Sequence, residues 1–513
     1  MHLKTQSFVT GALILMIANA ISKILGAVFK IPLTYIIGEE GMAVYNTAFN
    51  IYILFLAFVI SGLPFAVSKL VSEYSAAKKE GMVRYTVKIS NLILCAVGLF
   101  GSAALYFGAD FFAFAMKEEK AVFAIKMIAP SIFFVAAGTT VRSYYQGISN
   151  MLPTAVSQVI ESVVKLVAGY VLAVYFIRFG ISAASGGAVM GVTIGEAVAT
   201  AVFLLIYIFS PKPSCPCSLK DRQEIRKALF DIALPLLFAS VVSSMLSVVD
   251  TTVIRSGLIH SGLNTDEARR VYGAYTGYAL TVIHLPIGIL ATLGVSILPV
   301  IAGSLAIGQH EKTQKASYLA LQLTILLAVP CAVAAYCLST ELLEVLFHNS
   351  TSAAMLSMTA PCIIMICISN ILMSIIQSAG KIMTAFFYSA AGAVLKILLS
   401  VVLMPKLGIY GAIFSANISY FIVMLCCLIG IKKILGLKFK ITETIIKPGF
   451  GAAVMYLLIE LLRKPLGGIL SNTLLYTAAI GTISLIGYAA ALALTGALNP
   501  KQFLDIRKSA KNY

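Results

Sequence analysis

Apolar windows of 20 or more residues recur from one end of this chain to the other, and that recurrence restricts the fold more than any single motif. A hydrocarbon core about 30 Å thick needs about 20 helical residues to cross it. Only helices and closed barrels can cross while satisfying their own backbone groups. The 513 residues are 59% hydrophobic and 12% charged, with a mean hydropathy of +0.95. No stretch between the runs could form a sizeable soluble domain. The expectation is an all-α polytopic membrane protein.

The first run, ALILMIANAISKILGAVFKIPL, is too long for a signal-peptide core and is interrupted by Lys23 and Lys30, so it reads as a retained first helix. Hydropathy and turn signals place about fourteen transmembrane helices, near 8–36, 43–66, 86–108, 121–143, 154–177, 183–209, 230–252, 273–302, 317–338, 353–378, 383–404, 408–431, 447–462 and 472–496. The net charge of +17 concentrates in alternate connections, such as SKLVSEYSAAKKEGMVRYTVK and PKPSCPCSLKDRQEIRKALF, and in the tail KQFLDIRKSAKNY. The opposite loops, GEEG and STELLEVLFHNS, carry acids. Both termini are therefore expected in the cytoplasm of a multi-pass cell-membrane protein. Positive-inside loops account for the basicity without nucleic acid.

Most of the nine cysteines lie in apolar runs as small apolar residues, and Cys215 and Cys217 have no second Cys pair or His nearby to make a metal site. There is no P-loop and no H-E-x-x-H, and no cofactor is implied. An enzyme is not expected. A membrane glycosyltransferase would want acidic or basic residues on a large outer loop, and the longest candidate, IRSGLIHSGLNTDEARRVYG, is short.

Two regions share an order of features. Gln146 to Lys165 and Gln377 to Lys396 are each nineteen residues apart. Pro64 and Pro299 each precede a basic elbow, the first of which, SKLVSEYSAAKKEG, reads as a short amphipathic helix lying on the cytoplasmic face, and GGAVMGVTIGEA echoes YGAIFSANISYF. Six helices per unit gives parallel pseudo-repeats. The expected lobes are 1–229, with six helices and a linker, and 230–431, with helices seven to twelve. Residues 432–513 add two C-terminal helices and the tail.

The stretches SKILGAVFKIPLTYIIGEEGMAVYN (22–46), SGLPFAVSKLVSEYSA (61–76), VRSYYQGISNMLPTAVSQVIE (141–161) and LGIYGAIFSANISYFI (407–422) resemble the multidrug/oligosaccharidyl-lipid/polysaccharide (MOP) exporter superfamily. Within it the chain is similar to the polysaccharide-biosynthesis, stage V sporulation protein B-like branch, with lipid II flippases as more distant relatives. The resemblance implies alternating access and passage of a lipid-linked, undecaprenyl-pyrophosphate type saccharide for wall, spore-cortex or polysaccharide synthesis. Lipid II flippases carry several arginines in their first two helices. Here the first helix has Lys23 and Lys30 and the second has no Arg, and lysine lacks the bidentate fork.

Such a substrate would meet cations and hydrogen-bonding side chains inside the spans, since buried ionisable groups there face water, partners or ligand. The candidates are Asn19, Lys23, Lys30, Arg142, Gln146, Lys165 and Lys396, with Tyr144 and Tyr145 beside Arg142 as sugar contacts. Glu161 and Lys165 are four apart on one helix face, so an intrahelical ion pair is expected. Lys396 has Gly392 at that place and is expected to lack an acid, making its surroundings the more cationic. Glu161, Glu196 and Asp250 are candidates for coupling to H+ or Na+. A cation-coupled multidrug exporter of the same superfamily is the alternative.

Overall fold

The computed structural model describes residues 8–148, 150–209, 218–291, 301, 309–437, 440, 442–469 and 472–496. Pro299, Cys215, Cys217 and the basic tail lie outside these. Among the described residues the secondary structure is helical, with no strand, as a bilayer requires of anything but a closed barrel. The long helices are α1 (Phe8–Ile60), α2 (Gly62–Ala76), α3 (Glu80–Phe107), α4 (Ser131–Gly147), α5 (Leu152–Phe176), α6 (Ile181–Ile208) and α7 (Leu219–His260). They continue as α8 (Thr265–Ala274), α9 (His310–Cys337), α10 (Pro361–Ser378), α11 (Ile382–Leu407), α12 (Ile409–Leu435), α13 (Lys447–Ile469) and α14 (Thr473–Leu494).

Thirteen stretches of the described residues are long and apolar enough to cross a membrane. The first, Ile17–Ser75, has 59 residues, which at 1.5 Å per residue would be about 88 Å long, far more than one crossing. It divides at Gly38, whose φ of 63° and ψ of −168° lie outside helical space and are open to glycine alone. Counted as two, this run restores the fourteen spans expected from hydropathy. Large apolar side chains such as Phe100, Phe107, Leu205, Val402 and Leu461 face outward, which suits contact with lipid tails rather than water.

Two expectations need correction. The segment after Asp250 is not a loop of about twenty residues, because α7 runs on to His260 and α8 begins at Thr265. The turn is compact because Gly262 takes a positive φ of 103°. Asn264 and Glu267 then cap α8 reciprocally, each side chain accepting the other's backbone N–H at 3.0 and 2.8 Å. The elbow SKLVSEYSA is likewise no separate surface helix. It is the second half of α2, which buries Leu63, Ala66, Val67, Leu70 and Val71. Its other face leaves Lys69 outward.

The chain separates into two compact units, residues 1–281 with 386–415, and 282–385 with 416–513. Their bounds differ from those of the repeat-based lobes. In the second unit α13 and α14 are tied to α9. Tyr488 donates to the Leu326 carbonyl at 3.0 Å, and Arg463 donates to the Cys337 carbonyl at 2.6 Å and lies 3.3 Å from Glu341.

In the first unit the closest helix pair is α5 with α6, and small residues make it so. Gly187, Gly191 and Gly195 recur every fourth residue along α6, facing Leu172, Gly169 and Glu161 of α5. A Cβ at Gly191 would lie 2.3 Å from the Gly169 Cα, and one at Gly195 would lie 2.9 Å from the Glu161 carbonyl oxygen. Without a hydrophobic drive between helices in lipid, such close approach supplies the dispersion contact that holds them. Thr193 and Thr200 fasten α6 on its other side, donating to the Met127 and Phe134 carbonyls at 2.7 Å each.

Replacing Gly191→Leu must push these backbones apart, at a cost of about 1–3 kcal/mol. The thermal unfolding midpoint in detergent is expected to fall, whereas Gly26→Leu, with open space around its Cβ, leaves it unchanged. Paired melts of the two variants check this.

Candidate functional site

Close packing of α5 on α6 sets Glu196, next to Gly195, within hydrogen-bonding reach of Glu161. On the opposite side Glu161 meets Arg142 of α4, with NH2 to Oε2 at 3.6 Å. The Arg142 guanidinium also lies over the Phe203 ring at 5.7 Å, and its Nε is buried without a hydrogen-bond partner. Gln146 follows one turn along α4.

The expected ion pair between Glu161 and Lys165 therefore does not form. The carboxylate turns to the guanidinium of α4, and Lys165 turns to α1, where its Nζ lies 5.3 Å from the centre of the Phe49 ring. Lys165 makes no ion pair with a described residue. A cation over a ring face gains some attraction, but much less than a carboxylate at contact would give. Lys30 and Lys23 of α1 both lie within electrostatic range of Lys165. Asn19, one turn before Lys23, accepts from Gln158 Nε2 at 2.6 Å, and Ser22 donates to the Gln158 carbonyl at 3.3 Å. These bonds join α1 to α5 and fix the face on which the lysines sit.

Phe49 belongs to a column of rings along α1. Tyr45 stacks on Phe49 at 6.0 Å and 9°, and Phe29 and Tyr52 flank the pair at 6.3 and 5.7 Å. The cluster thus comprises four cations, Lys23, Lys30, Arg142 and Lys165, against two carboxyls, with an aromatic wall. Its formal charge is positive.

Tyr145 is not available as a sugar contact. It is 1% exposed, packed with Val141 and Phe203, and Tyr144 closes over it at 5.2 Å and edge-on to Tyr207 at 5.6 Å. Lys396 also differs from its expectation. Its Nζ lies 2.6 Å from Asp250 Oδ2 of α7, so the lysine without an acid on its own helix has one on another. The cationic surplus gathers beside Lys165 instead.

Sequence reasoning missed a second set of charges. Glu118, in the link between α3 and α4, is 1% exposed and meets Arg255 at 2.8 Å and Arg269 at 2.7 Å. Arg255 and Arg269 had been read as loop residues. The signal that could have found them is the Asn264 to Glu267 capping pattern, which shortens the loop and draws both arginines into helices.

The chain's residues 8–305 match the family model described as polysaccharide biosynthesis protein, and residues 274–402 match that described as MatE. Among curated proteins it is similar to the stage V sporulation protein B of Bacillus subtilis (strain 168), 28% identical over 456 residues, covering 85% of this chain and 86% of that one. It is also similar to the lipid II flippase MurJ of the same organism, 25% identical over 464 residues, covering 85% of each. Among solved structures, an inward-facing multidrug resistance MATE family transporter of the MOP superfamily aligns with a TM-score of 0.67 at 14% identity, over 83% of this chain and 98% of that one. A MOP superfamily transporter from Pyrococcus furiosus aligns with a TM-score of 0.64 at 15% identity, over 85% and 98%.

The two repeat-related lysines should behave oppositely when their charge is removed. Lys396→Met leaves Asp250 half-buried and unpaired, and should lower stability by about 1–3 kcal/mol. Lys165→Met strands no ion-pair partner and should change stability by less than about 0.5 kcal/mol or raise it. Unfolding in a graded denaturing detergent measures both.

Proposed function

The chain belongs to the polysaccharide biosynthesis protein family, and from that membership together with its basic cluster we propose that it flips a lipid-linked saccharide of undecaprenyl-pyrophosphate type across the cytoplasmic membrane. It is a multi-pass membrane protein of the MOP transporter fold and not an enzyme. In this reading the N- and C-termini are cytoplasmic, residues 1–229 and 230–431 act as two lobes by alternating access, and 432–513 is an addition to them. A sporulation protein and a lipid II flippase among the relatives support a role in envelope assembly, in growth or in sporulation.

One observation carries the proposal. Lys165 sits half-buried inside a membrane span with no ion pair to a described residue, beside Lys23 and Lys30. The cations here outnumber the two carboxyls nearby, and an anion that joins them relieves the surplus. A pyrophosphate supplies that anion, and its oxygens accept charge-assisted hydrogen bonds from ammonium and guanidinium groups. Phe49, the member of the ring column that is not fully buried, lies beside Lys165 on this face, and the prenyl chain stays in lipid. The Arg142, Glu161 and Glu196 trio has a separate task. As the phosphate approaches Arg142 it competes with Glu161 for the guanidinium, and this competition at the carboxyls is the proposed route for coupling to H+.

The alternative, efflux of organic cations, requires a site that attracts positive charge. With four cations to two carboxyls this cluster repels it, so that reading is the weaker one.

The test is translocation of a fluorescent undecaprenyl-pyrophosphate saccharide in liposomes containing only this protein. Lys23→Gln and Lys165→Gln are each expected to slow it about 10- to 100-fold, the worth of one charge-assisted hydrogen bond of about 1.5–3 kcal/mol. Lys165→Arg should retain part of the rate. A double Lys23→Gln, Lys165→Gln protein that translocates at the original rate would falsify the site. Dye efflux that depends on Glu196 would favour the exporter.

A further inference from the structure

The buried ions around Glu118 sit where the first half of the chain meets α7 and α8, and every one of them bridges separate elements. Arg255, 3% exposed near the end of α7, donates to the Met116 carbonyl at 3.2 Å, the Lys117 carbonyl at 3.4 Å and the Ala43 carbonyl at 3.4 Å besides its pair with Glu118. Its guanidinium lies 4.7 Å from the centre of the Tyr272 ring. Arg269 of α8 pairs with Glu118 and Asp266 and lies 3.6 Å from Glu40 of α1. Lys120 closes the rim, 2.5 Å from Glu40 and 3.9 Å from Asp266.

Below this layer hydrogen bonds cross the same seam among buried apolar side chains such as Met42, Ile51 and Ala274. Asn46 Nδ2 donates to Thr276 Oγ1 at 3.1 Å, and Asn50 Nδ2 donates to Thr251 Oγ1 at 3.0 Å and to the Tyr272 hydroxyl at 3.5 Å. The fit is close. A Cβ at Gly273 would fall 1.8 Å from the Glu39 carbonyl oxygen, and one at Gly277 would fall 3.0 Å from Met42.

Stability alone does not call for charges here. Apolar side chains of matching volume often serve as well as a buried Arg–Glu–Arg set, or better, because they avoid desolvating ions. Ions and amides differ from apolar groups in what happens when the seam parts. Water solvates each separated charge and recovers much of what pairing gave, whereas separated apolar faces only lose contact. A seam built this way closes tightly and still opens.

We infer that the Glu118–Arg255–Arg269 triad, with the Asn46 and Asn50 bonds beneath it, is a hydratable latch that holds α7 and α8 against α1 in one conformational state and releases them in another. This rests on the transport reading, since only a protein that alternates between states has use for a reversible closure. Glu118 is the keystone because it is the acid that both arginines share. Glu40 and Asp266, nearer the surface, serve as the first positions that water reaches.

Hydrogen exchange in nanodiscs of phosphatidylethanolamine and phosphatidylglycerol, without any substrate, tests it. Glu118→Gln is expected to speed exchange about tenfold in residues 39–50 and 265–277 while leaving 152–208 unchanged. The triple replacement Glu118→Leu, Arg255→Met, Arg269→Leu is expected to slow exchange in those two segments about tenfold, because its apolar seam resists opening. A triple variant that exchanges as fast as the original or faster would overturn the latch. So would uniform acceleration along the whole chain in Glu118→Gln, which would mark a general structural role. Neither measurement involves a saccharide. Failed translocation would leave the latch standing, and unaltered exchange would remove the latch without touching the flippase reading.

Discussion

A charge inside a bilayer has no bulk water to solvate it, and much of this structure follows from how each charge is answered. Asp250 answers Lys396, Arg142 answers Glu161, and Glu118 answers two arginines. Lys165 is answered by an aromatic face. A carboxylate at contact would neutralise the lysine outright, whereas the ring leaves its charge standing and its hydrogen-bond donors open to an incoming anion. The same constraint thus separates charges neutralised by a carboxyl from the one set against an aromatic ring.

The distinction depends on packing as much as on electrostatics. Had α6 carried larger residues at 187, 191 and 195, α5 would stand farther off, Glu196 would lose its reach to Glu161, and Arg142 would face one carboxyl rather than a pair. Glycine spacing on one helix therefore decides which charged groups come together on another. The Asn19 to Gln158 bond acts in the same sense for α1, setting the face from which Lys23 and Lys30 approach.

Properties that depend on one helix at a time were legible in the sequence. Hydropathy placed the spans, GEEG marked the break that Gly38 makes, and in-span charges picked out Lys23, Lys30, Arg142, Lys165 and Glu161. Partner choice was not legible, because it depends on which helices become neighbours. An i, i+4 spacing allowed Glu161 to reach Lys165 but could not show that Arg142 would be nearer. The absence of an acid four residues before Lys396 said nothing of Asp250, 146 positions away. Arg255 and Arg269 were overlooked for a different reason. Their polar surroundings read as solvent-exposed loop, although the Asn264 to Glu267 cap was present in the sequence.

The short turn between α7 and α8 bears on how the protein is made. With only residues 261–264 between them, the two helices form a hairpin. That hairpin brings Arg255 and Arg269 with it, and neither has its buried acid until it reaches Glu118. Glu118 lies more than a hundred residues earlier in the chain, so the acid is made before the arginines that answer it.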